Sequence, residues 1–227
     1  MMSKYDINSN PKLVKLMIEN EKKACERTCA INPGALSLKF CNELRELGYE
    51  FEVPSQTVGF MPKHKETILP ISIKYYQQAK DEEKPFFLSY FRFKGFEEVV
   101  PMLLEDFYLP QTSRLTREFI TEALDRIRSK KYLDEYLKIL SNPDYENFYL
   151  FIALMVSSWK VEEAIPIFIK MLDNEKISAL GVQALGKYKR EEFRPYFERF
   201  ENDQNTYLKK YAKSALKKLD GLKNNEE

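Results

Sequence analysis

Ile177 to Lys187, ISALGVQALGK, is apolar enough for a buried helix, yet it carries two glycines, and its Ala184-Leu185 pair has counterparts along the chain. Ala-Leu also stands at Ala123-Leu124, Ala153-Leu154 and Ala215-Leu216, giving intervals of 30, 31 and 31 residues. A second marker keeps step with the first. Pro70, Pro101, Pro166 and Pro195 are spaced by 31, 65 and 29 residues, and KYLDEYLKIL (Lys131 to Leu140) fills the vacant slot. The apolar segments start on acids, as in GFEEVVP, YLDEYL, VEEAIP and REEFRP. Two markers sharing one period indicate an internal repeat.

A period near 31 accommodates two helices of about 11 to 13 residues and two short turns, because helix-helix connections run roughly 2 to 8 residues. Such a pair cannot bury its apolar side alone, so units are expected to line up in an array. Alanine is small where helices approach closely, and the following leucine fills the seam between them. Proline suits the first turn of a helix, where amide hydrogens have no intrahelical partner. Acids in that turn complement the helix dipole by about 0.3 to 1 kcal/mol each.

At these residues the chain resembles the HEAT-repeat family, in the short form of about 30 residues found in bacterial HEAT-like proteins. Ala164 to Phe200 carries the likeness best, with its proline, its Leu-Asp before the turn and its Ala-Leu-Gly. The resemblance is clear over 94–219 and faint over 65–94, where PFFLSYFRF replaces the Ala-Leu helix with aromatics. The signatures of tetratricopeptide and ankyrin repeats are missing. The family implies an all-α fold, a right-handed α-solenoid of antiparallel helix pairs whose second helices line a concave face. It implies no chemistry.

The 227 residues, with 44% apolar content, then divide into a helical N-terminal cap and connector over 1–64, an array of about five helix pairs over 65–220 and a frayed tail over 221–227. LVKLMIENEKKA and ALSLKFCNELREL have a helical period; Asn32-Pro33 starts the latter and Gly48 stops it. Pro54, Gly59 and Pro62 punctuate the connector. YEFEV (Tyr49 to Val53) is the best strand candidate in a chain otherwise without alternation. The opening MMSKYDINSNPK shows no export signal. The longest apolar run, FYLFIALMV, is too short for a bilayer, which needs about 20 residues. With three cysteines and no disulfide framework, the expected location is cytoplasmic.

Chemistry is sparse. Cys25, Cys29, Cys41 and the single histidine, His64, match no usual zinc spacing, so no metal or cofactor is expected. No phosphate-binding glycine loop, nucleophile elbow or His-Glu-x-x-His helix occurs. The Glu pairs Glu97-Glu98, Glu162-Glu163 and Glu191-Glu192 recur with the repeat, whereas a catalytic pair would be expected once. No catalytic constellation emerges, and the chain reads as a non-enzyme.

The charges, however, segregate. The first helices with their turns (95–110, 129–143, 161–176, 191–205) total −8, and the second helices (111–128, 144–160, 177–190, 206–220) total +7. Helix dipoles favour bases at helix ends, which covers Lys187, but Arg114, Arg117, Lys209 and Lys210 stand at helix starts. If the family geometry holds, Arg114, Arg117, Lys187, Lys209, Lys210, Lys213 and Trp159 are the candidate binding residues of a basic concave face. The expected function is a scaffold that grips an acidic protein or peptide. The alternative is nucleic-acid binding, at its extreme resembling the HEAT-like alkylpurine DNA glycosylases.

Overall fold

The computed structural model describes residues 10–223, and every regular element among them is helical. The opening leader and the last four residues of the expected tail lie largely outside that range; within it, the final helix runs on to Lys223. No described helix is long and apolar enough to cross a membrane. The strand candidate YEFEV is an irregular turn without a strand partner: Tyr49 stacks on Phe60 at 5.6 Å and meets His64 edge-on at 5.2 Å, while Arg45 covers Phe51 at 4.5 Å.

Three helices lead the chain. In α1 (Pro11–Ile31) the Asn10 side chain caps the Leu13 amide, and proline opens the first turn. None of its residues is fully buried. Glu21 ties it down by accepting from the Ser55 amide (2.8 Å) and hydroxyl (2.6 Å). α2 (Leu36–Glu46) ends before Gly48, whose φ of +88° is open to glycine at little cost. Inside the expected connector lies a short helix, α3 (Pro54–Val58); the Gln56 side chain accepts from the amides of Glu52 (2.7 Å) and Val53 (3.2 Å) at its start.

Ten helices follow as five contacting pairs: α4 (Lys65–Gln78) with α5 (Lys84–Leu88), α6 (Val100–Tyr108) with α7 (Arg114–Ile127), α8 (Leu133–Ser141) with α9 (Tyr149–Ser158), α10 (Ile165–Met171) with α11 (Ser178–Leu185), and α12 (Arg194–Glu198) with α13 (Thr206–Lys223). The second members also touch in succession, α5 to α7, α7 to α9, α9 to α11 and α11 to α13, and so make one continuous row.

Local chemistry recurs with the pairs. Pro101, Pro166 and Pro195 occupy the first turns of α6, α10 and α12, whereas Pro70 lies inside α4. Acidic 3₁₀ turns, Glu97–Val99, Glu162–Ala164 and Glu191–Phe193, precede those same three helices. The residue that reverses the chain after α5, α7, α9 and α11 is left-handed each time: Gly95, Arg128, Lys160 and Lys189. Most long-range polar ties also join places about one period apart. Tyr76 donates to Asp106, Arg92 pairs with Glu122, Asn174 bonds Glu146, and the Tyr188 hydroxyl donates to the Val161 carbonyl, at separations of 27 to 30 residues.

The two glycines of ISALGVQALGK mark close approaches. A Cβ on Gly181 would lie 2.9 Å from the Phe168 carbonyl oxygen and 3.1 Å from Met171 Cβ, so α11 presses on α10 here. A Cβ on Gly186 would sit 3.3 Å from Ala215 Cβ, which places this glycine against the Ala-Leu pair of the next unit.

One apolar cluster runs from Phe40 to Leu219, so α2 and the pairs share a core. Phe40 of α2 packs edge-on against Tyr75 (5.8 Å), Phe87 (5.7 Å) and Tyr90 (4.8 Å). Edge-to-face rings at these distances add about 0.5 to 1.5 kcal/mol per pair beyond burial. A polar knot joins α4, α5 and α6: Lys84 pairs with the buried Asp106 at 2.6 Å, and the Tyr76 hydroxyl donates to the same carboxylate oxygen. Burial and that carboxylate push the Tyr76 phenol far above its ordinary value.

Candidate binding surface

The candidate residues are distributed over the second-helix row, and they do not form one patch. Arg114 begins α7 and pairs with Glu118, one turn on, at 2.8 Å. Arg117 turns toward α6: its guanidinium donates to the carbonyls of Phe107 (2.9 Å) and Leu109 (2.7 Å) and lies 6.0 Å from the rings of Phe107 and Phe148. Those carbonyls belong to the end of α6, which has no intrahelical donors for them, so Arg117 closes a helix terminus. Further along α7, Glu122 is paired with Arg92 and Asp125 with Arg128, leaving little net charge there.

On α13 the buried positions are Leu208, Ala212, Ala215, Leu216 and Leu219. At 100° per residue, Lys210 and Lys213 project from the opposite side and Lys209 from one flank; Lys210 and Lys213 are exposed, Lys209 half-buried. None of the three forms an ion pair among the described residues. Trp159, just beyond α9, rests 6.2 Å from Tyr136, with Arg128 and Lys130 each 5.7 Å from its ring centre.

Lys187 is different. Its ammonium crosses to α9 and donates to the Leu154 carbonyl at 2.8 Å. Burial lowers its pKa, and the nearby cations Arg128 and Lys218 lower it further, with only Asp125 opposing. Asp125 is itself raised, by burial in the first place. Arg128, whose guanidinium also bonds the Ser158 hydroxyl, Lys187 and Lys218 therefore make a cationic corner with one carboxylate among them. Lys218 forms no ion pair among the described residues.

An open trough leads to that corner. At the starts of α9, α11 and α13 a depression of about 430 Å³ is lined by Leu150, Ala179, Leu180, Tyr207 and Tyr211, with the amides of Asn147, Gln183 and Asn205 and the Glu146–Lys176 ion pair among them. Tyr207 is 68% and Leu150 50% exposed, so both present apolar surface to solvent. Gln183 and Tyr211 also line a second depression of about 200 Å³, which continues between α11 and α13 past Gly186 and Ser214 to Lys218. Another apolar hollow of about 290 Å³ lies between α8 and α10, against Leu140, Tyr149, Pro166, Ile167 and Met171, and adjoins the first depression at Glu146 and Ile177.

The sequence finds no match among models of protein families or among curated proteins. Function has to be argued from the surface itself.

Among the described residues no group of three His, Cys, Asp or Glu side chains gathers as metal ligands. Cys41 is buried and its thiol is pushed up to about 12; Cys25 is raised too, by burial and by Glu21, and Cys29 is exposed. Thiols held protonated are poor nucleophiles and poor ligands.

Sequence reasoning placed Lys187 among the candidates but missed Arg128, Lys218, Leu150, Tyr207 and Tyr211. The repeat could have supplied one of them: Lys187 and Lys218 both follow the leucine of an Ala-Leu pair by two residues. The aromatic and leucine walls had no such register, because each comes from a different unit.

Proposed function

We propose that the five helix pairs form a right-handed HEAT-like solenoid and that the protein is a non-catalytic scaffold, gripping a protein or peptide partner on its second-helix row. The repeat architecture is supported by contacts and polar ties that join positions one period apart. The observation that carries the binding reading is the trough across α9, α11 and α13, where exposed Leu150 and Tyr207 flank a concavity with an amide-bearing rim. An apolar floor with a polar rim is the anatomy of a peptide-binding interface, and tyrosine is enriched among its energetic anchors. The test is recovery of partners from lysate by the wild-type chain and by a Leu150→Ser/Tyr207→Ser double variant whose circular dichroism is unchanged. Partners lost in the variant support the reading; partners retained in full overturn it.

The nucleic-acid alternative draws its support from Lys209, Lys210 and Lys213, which carry no ion pairs among the described residues. It draws less from α7, where Arg114 is paired and Arg117 is committed to backbone carbonyls. Salt-dependent binding of a fluorescent random-sequence duplex, lost when Lys209, Lys210 and Lys213 are changed to Glu, would favour it.

A further inference from the structure

The two adjoining depressions differ in character. The first is mainly apolar, between Leu150, Leu180, Tyr207 and Tyr211 with the Glu146–Lys176 ion pair at its side, and the second ends at a cation, Lys218, near Lys187 and Arg128. Gln183 and Tyr211 line both parts, so the two adjoin. We infer that this trough binds a peptide segment carrying an apolar or aromatic side chain at one end and two or more carboxylates at the other. The inference rests on the scaffold reading and specifies its partner.

Three features select this occupant. Gly186 has no side chain and approaches Ala215 closely, keeping the floor between α11 and α13 low where a backbone would pass. At the cationic end, Arg128, Lys187 and Lys218 face a single half-buried carboxylate, Asp125. Their mutual repulsion opposes folding, and an arriving carboxylate would relieve it. At the apolar end, Tyr207 is largely bare although Leu208 beside it is buried, so its ring has an unused face. Spacing follows from α13: from Tyr207 to Lys218 the helix rises about 16 Å at 1.5 Å per residue. An extended peptide covers that distance in about five residues at 3.3 Å each. An extended partner therefore places its acids about five residues from its apolar anchor. A nucleic-acid backbone would satisfy the cations but not the Leu150 and Tyr207 end.

The test is selection of a random dodecapeptide display library on the immobilised full-length chain, followed by fluorescence anisotropy of the enriched peptides. Two exposed-site variants are compared, Lys218→Glu and Leu150→Ser/Tyr207→Ser, with a labelled random-sequence DNA duplex as a second probe. The expected result is enrichment of peptides pairing an apolar residue with at least two acids. Their affinity should fall about tenfold in each variant, and salt sensitivity should diminish only in Lys218→Glu. Enriched peptides without acids, weakened by Leu150→Ser/Tyr207→Ser alone, would overturn this inference and leave the scaffold reading standing. Peptides indifferent to both variants, or no enrichment at all, would overturn both. Duplex binding lost in Lys218→Glu, without peptide binding, would overturn the inference in favour of nucleic acid.

Discussion

A Cβ added to Gly181 would lie 2.9 Å from the carbonyl oxygen of Phe168, inside ordinary contact, because α11 crosses α10 at that point with only hydrogen between them. The obstruction is backbone, which a rotamer change cannot move. Gly181→Ala is therefore expected to destabilise the protein by about 1 to 3 kcal/mol, as overpacking does elsewhere, despite alanine's better helix propensity. Urea denaturation reads it directly. Gly221→Ala is the control: nothing lies within 4 Å of its added Cβ, and stability should hold or rise slightly.

Lys189 follows α11 in the left-handed conformation, with φ of +55°, and its side chain is exposed. A residue with a Cβ loses about 1 kcal/mol there relative to glycine. Lys189→Gly should raise the denaturation midpoint by about that much. An unchanged or lowered midpoint would show that the lysine side chain contributes something the backbone geometry does not reveal.

Arg117 is expected to matter for folding more than for binding. Arg117→Met keeps much of the aliphatic stem against Phe107 and Phe148 but leaves the Phe107 and Leu109 carbonyls without their donor. Losing charged hydrogen bonds to part-buried groups costs about 1 to 3 kcal/mol. Thermal unfolding should fall accordingly, while affinity for a trough-binding peptide, measured below the transition, should stay within about twofold of wild type.

Acid should weaken the N-terminal half first. The Lys74 ammonium holds the Glu43 carboxyl below its ordinary value of 4.5, against burial and with help from the Tyr75 hydroxyl. Burial would raise Asp81, but hydrogen bonds from Ser113 prevail and lower it; Glu98 behaves likewise through Lys65. A carboxyl whose folded value is depressed contributes stability above its unfolded value and surrenders it as pH falls through the folded one. Urea midpoints should thus be level from pH 7 to about 5 and decline below. Glu43→Gln should show the shallower decline; an equal slope would mean that this carboxylate is not a stabilising group.

Much of the architecture was legible because the repeat is written in residues with few alternatives. Ala-Leu pairs fall in the tight row, and three of the four repeat prolines fall where an amide has no partner to lose, Pro70 inside α4 being the exception. The faint unit over 65–94 shows where that legibility stops. Its second helix, α5, is only five residues long, and the fully buried Phe87, Tyr90 and Phe91 in and after it carry no Ala-Leu pair. α3 was hidden in a stretch punctuated by Pro54 and Gly59, because proline at a first turn and glycine after a last one bound a short helix as readily as a loop. At the surface, the Arg114–Glu118 pairing follows from a spacing of four, but Arg117's acceptors sit on another helix and no local pattern announces them. The trough is less legible still, being made by three units whose contributions meet only after folding.

The two ends of the protein are finished differently. At the front, Phe40 is wedged among Tyr75, Phe87 and Tyr90 and leaves no seam open. At the back, α13 turns Lys210, Lys213 and Lys217 outward and no described element covers them. In an array held by nearest-neighbour contacts, the helix with one neighbouring unit is the cheapest to release. In the proposed array, α13 is therefore the zipper's slider, beside the trough.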